Sequence, residues 1–348
     1  MKNPSVILVT GGLGFIGSHM IKYLLNDKSS DYYVYNLDAL SFGSNRSNLQ
    51  ISNTDGSRYK LLIDDINNIE SIKFKQKPDI IINFAAETHV DRSIADPHVF
   101  VNSNYMGVYH LLEYARKFDI GKYVQISTDE VYGESPVGYS FREEDRLAPG
   151  NPYSATKAAA DLLATSYNRT YGLDISITRC TNNFGPCQGV EKLIPATVLR
   201  ILKGLPILLY GDGNQLRDWI YVYDHVSAID RVMHKRNDQG IYNISASNLL
   251  SNNELVKKVN GITEKFTGKH SVVKNVKDRP GHDKRYSLDA KKIKGDLKWK
   301  PEFNFNEALV STVKWYISNK KWLRESSAQY NKPKHDISNS KNPLISRK

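Results

Sequence analysis

The sequence predicts a doubly wound α/β fold built on a parallel sheet, and three observations predict it. Short runs rich in β-branched residues recur through the first 180 residues, stretches long enough for crossover helices lie between them, and a glycine-spaced turn follows the first run directly. Parallel strands need crossover connections, so strands alternating with helices read as a parallel sheet covered on both faces.

The first run, Val6 to Thr10, enters Gly11-Gly12-Leu13-Gly14-Phe15-Ile16-Gly17, which satisfies GxxGxxG and, from Gly12, GxGxxG. Glycines at this spacing let the backbone turn tightly and approach a pyrophosphate, while the N-terminus of the next helix, expected over Ser18 to Asn26, faces the phosphates. The second strand, Tyr33 to Leu37, ends on Asp38, 21 residues after Gly17. A carboxylate there accepts from ribose hydroxyls and repels a 2′-phosphate, which favours NAD over NADP and makes the domain Rossmann-like. Strands over Tyr59 to Ile63, Ile80 to Phe84, Tyr123 to Ser127 and Ile175 to Thr178 follow, with helices over Pro97 to Phe118 and Tyr153 to Tyr171.

After about residue 185 the punctuation changes to Pro186, Pro195, Pro206, Gly211, Gly213 and Pro280-Gly281. The expected organisation is a dinucleotide-binding domain over 1–185, a smaller and mainly substrate-binding region over 186–325, and a polar, basic, disordered tail over 326–348.

The formal charge of +11 is concentrated late: residues 251–348 hold 23 Lys+Arg against 10 Asp+Glu, and residues 1–250 hold 25 against 27. The lysines are scattered without any nucleic-acid recognition motif, so no nucleic-acid partner is expected. No 18-residue apolar run and no signal-like start occur, which predicts a cytoplasmic protein with no membrane segment. Cys180 and Cys187 stand without a CxxC or a histidine pair, as ordinary thiols of a reducing compartment, and no metal site is expected.

Tyr153 and Lys157 stand four apart on one helix face. An adjacent ammonium and a positive nicotinamide would both lower the phenol's pKa, which suits Tyr153 to take a proton from a sugar hydroxyl. Thr128-Asp129-Glu130 ends the strand leading to this helix, and two adjacent carboxyls in different environments can divide the acid and base work of an elimination.

With these motifs together the chain resembles the extended short-chain dehydrogenase/reductases and, within them, the nucleoside-diphosphate-glucose 4,6-dehydratases of the dTDP-glucose type. The blocks TGGLGFIGSH, NFAAETHVDRSI, STDEVYG, YSATKAAAD, RCTNNFGP, YGDGNQLRDWIYVYDH and DRPGHDKRY carry the resemblance to about Leu323. It implies C4 oxidation of the sugar with Tyr153 and Lys157, elimination of water across C5 and C6 with Glu130 as base and Asp129 as acid, reduction at C6, and Thr128 on O4. It further implies NAD contacts at Gly11, Gly14, Phe15, Ile16, Gly17, Asp38, Ala39, Leu40, Ser41, Asp65, Ile66, Phe84, Ala85, Ala86, Ser103, Tyr153, Lys157 and Asn183. Substrate contacts fall on Thr88, Thr128, Asn182, Lys192, Leu193, Tyr210, Arg217, Asn252, Arg279 and His282, whose cations suit a diphosphate.

A homodimer through the helices 97–118 and 153–171 is implied too, with Val108, Leu111, Leu112, Ala115, Ala158, Leu162 and Leu163 either at that contact or covering the sheet. Cys187-Gln188-Gly189-Val190 departs from the family's aromatic-containing stretch, and Phe184 stands where tyrosine is common, so thymidine and uridine both remain open as the base. The same resemblance puts the product upstream of a deoxysugar such as rhamnose. A 4-epimerase or a decarboxylase of the same family, a non-catalytic NAD-sensing protein and an RNA-binding protein are the competing readings.

Overall fold

The computed structural model describes residues 5–26, 31–50, 56–235 and 240–330. The strands among them are β1 (Ser5–Thr10), β2 (Tyr32–Asp38), β3 (Tyr59–Ile63), β4 (Ile80–Asn83), β5 (Lys122–Thr128), β6 (Ile175–Cys180), β7 (Asn182–Phe184), β8 (Ile207–Tyr210), β9 (Leu216–Tyr221), β10 (Ile241–Ile244), β11 (Leu249–Ser251) and β12 (Val273–Val276). Seven form one sheet in the order β10-β6-β5-β4-β1-β2-β3, with every pair parallel. The six strands expected from sequence are all in it.

Both faces of this sheet are covered by helices, so its strands read as continuous apolar runs rather than alternating ones. One face packs Ile7, Val9, Val34 and Ile82 against the helix Phe15–Asn26; the other packs Leu8, Leu37 and Ile81 against the helix Gly107–Lys117. The strand order reverses at β1 and β4, which opens a crevice at their carboxyl ends. Thr10 aligns with Asn83 and Thr128 with Cys180, so the chemistry-bearing ends stand along one edge of the sheet.

Three expectations are corrected. The helix over 97–118 is three pieces, Pro97–Phe100, a wide π turn Val101–Met106 and Gly107–Lys117. Inside the wide turn Asn104 donates to Glu87 O and to Thr156 Oγ1, both at 3.0 Å, which ties the glycine-loop side of the molecule to the Tyr153 helix. Gly107 follows because a Cβ there would lie 2.3 Å from Ile66 Cδ1.

The second correction is the boundary at 185. β10 and the helix Val222–His234 return to the first domain, where Val226, Ile229, Val232 and Met233 join the core under β1. A strand of four residues reading IYNI carries too little periodicity to be seen. The rest of 182–330 builds a three-stranded sheet, β11-β9-β7, a two-stranded one, β12-β8, and a separate helical core around Phe184, Leu255, Leu309 and Tyr316.

Third, the expected tail begins too early. The helix Lys320–Tyr330 continues past residue 326 and buries Trp322 and Leu323; the remainder of that tail, 331–348, lies outside the described residues. Of the two roles left open for the apolar helix positions, Val108, Leu111, Leu112 and Ala115 take the covering of the sheet and are buried, whereas Leu162 alone of them is largely exposed, at 62 %. Among the described residues no helix is long and apolar enough to cross a membrane.

Candidate active site

The glycine loop is shaped by close approach. Gly11 takes φ +67°, and a Cβ on it would sit 2.8 Å from the backbone of Ala85; one on Gly17 would sit 2.4 Å from Gly11 O. At Gly14 a Cβ would meet only Gly11 O, at 3.1 Å, so the space on its other side is open. The helix that starts at Phe15 leaves its first N–H groups without intrahelical acceptors, facing that space. These residues fit a dinucleotide: the loop leaves room where a side chain would fill it, and the helix end offers donors to a pyrophosphate.

Asp38 is buried at the end of β2 and accepts from Leu13 N at 2.9 Å, Leu40 N at 2.8 Å and Ser44 Oγ at 2.7 Å. Its carboxylate therefore holds the glycine loop and the 40–44 turn together. Leu40, preceded by Ala39, takes φ +53° in that turn, and the carbonyl of Ser41 after it accepts from Ser44 N. Phe84 and Ala85 follow β4 and donate their N–H groups to Thr10, Ala86 lies next in chain, Asp65 caps the short helix Ile66–Ser71, and Ser103 lies in the π turn.

The reacting residues converge from β5 and the helix Pro152–Tyr171. That helix starts firmly: Asn151 Oδ1 accepts from Ser154 N at 2.9 Å, Ser154 Oγ accepts from Asn151 N at 3.2 Å, and Pro152 occupies its first turn. The capping asparagine also donates to Glu130 Oε2 at 3.3 Å, so one residue fixes both the helix and a carboxylate. Thr128 Oγ1 donates to Asp129 Oδ1 at 3.1 Å, whereas the other oxygen, Oδ2, is buried with no partner among the described residues. Burial first, then the neighbouring Glu130 carboxylate, push the Asp129 carboxyl up to about 8; it is a protonated acid at neutral pH.

Tyr153 and Lys157 are both buried on this helix. The expected lowering of the phenol by Lys157 is not what the structure shows. Burial and then Glu130 hold Tyr153 well above its ordinary value, and the ammonium points at Ile126 O, 2.6 Å away, instead of at the phenol. Burial also lowers Lys157. Spacing alone could not show where the ammonium's strongest acceptor lies.

Beside these residues opens a cleft between the sheet edge and the second region. It collects nine of the expected substrate residues from seven chain segments: Thr88, Asn182, Lys192, Leu193, Tyr210, Arg217, Asn252, Arg279 and His282, with Glu130 in the same wall. Thr128, Asp129, Tyr153 and Lys157 stand behind Glu130 and do not line it. Lys192 donates to Thr88 O at 3.1 Å, and Tyr210 to Asp91 Oδ2 at 2.9 Å. Arg217 is locked: it donates to Leu216 O and Asp283 O, both at 2.8 Å, with its guanidinium 4.3 Å above the Tyr286 ring. His282 Nδ1 donates to Asp278 Oδ1, 2.6 Å away, and burial pushes the imidazole down to about 4.

Sequence reasoning missed His89, Asp91, Gln188 and Glu191, all of which line the cleft, and it placed Asn183 with the cofactor although it lines this cleft too. His89 and Asp91 lie within the block quoted from Asn83 to Ile94, and Glu191 is next to Lys192; proximity to singled-out residues was the available signal. Among the described residues no group of three His, Cys, Asp or Glu could hold a metal ion.

Residues 8–312 match the family model described as GDP-mannose 4,6 dehydratase. The chain is 45% identical to the low-salt glycan biosynthesis protein Agl12 of Haloferax volcanii, over 90% of this chain and 99% of that protein. It is 42% identical to a dTDP-glucose 4,6-dehydratase of Haemophilus influenzae, over 90% and 98%. Among solved structures, the dTDP-glucose 4,6-dehydratase DesIV of Streptomyces venezuelae with NAD bound superposes with a TM-score of 0.86 at 42% identity, covering 92% of this chain and 99% of that one. A UDP-glucose 4-epimerase of Thermus thermophilus in complex with NAD gives 0.82 at 30% identity, covering 90% and 99%.

Proposed function

The chain belongs to the GDP-mannose 4,6 dehydratase family, and on that premise we propose that it is an NAD-dependent nucleoside-diphosphate-glucose 4,6-dehydratase, a hydro-lyase releasing the 4-keto-6-deoxy sugar nucleotide. One observation carries the reading against the epimerases that share the fold: a buried Asp129, one of whose carboxyl oxygens has no partner among the described residues, stands beside a cleft-facing Glu130. A 4-epimerase oxidises, turns the sugar and reduces it again, and has no use for two adjacent carboxyls in such different surroundings.

Gly11, Gly14, Gly17 and Asp38 would hold NAD, which when bound would supply reversible redox capacity and a positive ring that favours the Tyr153 phenolate. The chain's own residues do the proton work. Tyr153 takes the proton of the C4 hydroxyl, and Thr128 hydrogen-bonds O4. Once C4 is a ketone the C5 proton is acidic; Glu130 removes it while Asp129 protonates the departing C6 hydroxyl, and water leaves. Arg217, Arg279 and Lys192 orient the diphosphate, which places the sugar against Glu130.

Thymidine diphosphate glucose is the substrate this reading favours, because several relatives near 40% identity carry that name. The enzyme acts as a homodimer through the outer faces of the helices 97–117 and 152–171, with the exposed Leu162 at the contact, and the two free buried cysteines fit a cytoplasmic reaction. Incubation with dTDP-glucose and UDP-glucose in parallel, without added NAD, tests the reading through product mass. Loss of one water from the thymidine nucleotide is expected; loss from the uridine nucleotide alone reverses the base, and loss from neither removes the dehydratase assignment.

A further inference from the structure

The family match ends at residue 312, yet the helix Lys320–Tyr330 reaches back to both halves of the site. At its first turn Trp322 is buried and donates from Nε1 to Asn48 Oδ1 at 2.8 Å. Asn48 Nδ2 in turn donates to Leu13 O at 2.9 Å, and Asn45 N donates to the same carbonyl at 3.0 Å. Leu13 N donates to Asp38. The tryptophan is therefore the outermost link of a hydrogen-bonded series that runs into the glycine loop.

Two turns further along, Tyr330 places its hydroxyl 3.0 Å from His89 Nε2, with the rings stacked, and packs its ring 5.4 Å from that of Phe42. Phe42 itself lies under the Arg92 guanidinium, at 4.2 Å. His89 lines the substrate cleft. The preceding helix joins the same structure: Tyr316, whose ring meets Trp322, donates to Gly185 O at 2.9 Å and accepts from Gln188 N at 3.0 Å. A small crevice remains between Phe42, Asn48, Gly189, Glu191, Trp322 and Tyr330.

The 40–48 segment that these contacts pin has no strand and no α-helix, and it contains Leu40 and Gly43 at positive φ. It follows β2 directly and is tied to the glycine loop through Asp38, which accepts from Leu13 N, Leu40 N and Ser44 Oγ. We propose that the helix Lys320–Tyr330 is a clasp that holds NAD in its loop between turnovers, with Trp322 and Tyr330 as positioning residues; this rests on the reading of the loop as an NAD site. A reaction with no net redox change gains from such a device, because loss of the cofactor midway strands the ketone.

The test is NAD retention by the full chain. Trp322→Phe keeps ring packing against Trp315 and Tyr316 and removes the N–H; Tyr330→Phe removes a hydroxyl alone. Each protein is loaded with NAD and desalted, and the bound nucleotide is quantified against time. Loss of one hydrogen bond worth about 1 kcal/mol corresponds to release about 5-fold faster for Trp322→Phe, with a further acceleration in the double variant and turnover restored by saturating NAD. Unchanged release from a natively folded double variant overturns the clasp. So does a turnover defect that saturating NAD leaves in place, since that marks ordinary structural support. Should Trp322→Phe not fold, the release rate of Tyr330→Phe decides. Faster release from the variants of a chain that dehydrates no sugar nucleotide leaves the clasp standing and removes the dehydratase reading; an unmodified chain that binds no NAD removes both.

Discussion

The carboxyl ends of the sheet strands and the wall built from residues 182 to 282 meet at Glu130 but are made differently. On the sheet side each functional side chain follows its strand by a residue or two: Gly11 after β1, Asp38 at the end of β2, Phe84 after β4, Asp129 and Glu130 after β5. On the opposite side Asn182, Lys192, Tyr210, Arg217, Asn252 and Arg279 come from six segments of two small sheets and their loops. The difference separates chemistry from recognition. Proton transfer needs groups held within a fraction of an ångström, which a buried parallel sheet provides, whereas a flexible diphosphate is gripped by cations that need only converge.

The largest expected effects lie on the sheet side. Tyr153→Phe and Glu130→Gln each remove a general acid–base group, so turnover falls by about 10²–10⁴-fold. They differ in which step stops. In D2O, Glu130→Gln gives no deuterium at C5 and no loss of water, measured by product mass. Normal product from Glu130→Gln would remove Glu130 as the base.

Asp129 sharpens the same side through pH. Its carboxyl titrates at about 8 in the fold against about 3.9 in an unfolded chain. Because the folded pKa is raised, the unfolded chain binds fewer protons between these values, and stability falls as pH rises from about 4 to about 8. As a general acid it fails above about 8, so kcat declines about tenfold per pH unit there. Asp129→Asn abolishes turnover and flattens the fall in Tm over that range. A Tm slope in Asp129→Asn equal to that of the unmodified protein would contradict the raised carboxyl.

How much was legible follows the same division. The six strands, the glycine loop and the Asp129–Glu130 and Tyr153–Lys157 pairs could be read because each is a local pattern whose geometry the backbone sets. β10 could not, since four residues carry no distinguishable period. The helix Lys320–Tyr330 was hidden by its composition, KKWLRESSAQY, in which Trp322 and Leu323 supply most of the apolar anchoring. The direction of the Lys157 ammonium was hidden too, because its partner is a backbone carbonyl 31 residues away. His89 and Asp91 were passed over because their roles depend on Tyr330, Tyr210 and Arg279, which only the fold brings near.

On the recognition side smaller effects are expected. Arg217→Lys keeps the charge but loses the planar fork that grips two carbonyls and lies on Tyr286. A charged hydrogen bond contributes about 1.5–3 kcal/mol, so KM rises by roughly 10- to 100-fold with kcat within a few-fold. A collapse of kcat at unchanged KM would show that Arg217 acts in the chemical step and would erase the proposed division.

Asn151 gives the finest test, because it belongs to the scaffold and to the chemistry at once: one end of its amide caps the Tyr153 helix and the other donates to Glu130. Asn151→Ala removes both contacts and costs about 1 kcal/mol of stability, read as a lower Tm. Asn151→Asp keeps an oxygen for Ser154 N and places a second negative charge beside Glu130. Repulsion in place of a donated hydrogen bond turns the Glu130 carboxyl from its place in the cleft wall, so kcat falls by about tenfold while Tm stays near that of the unmodified protein. An unchanged kcat would mean that Glu130 takes its orientation from elsewhere, and that the cap serves the helix alone.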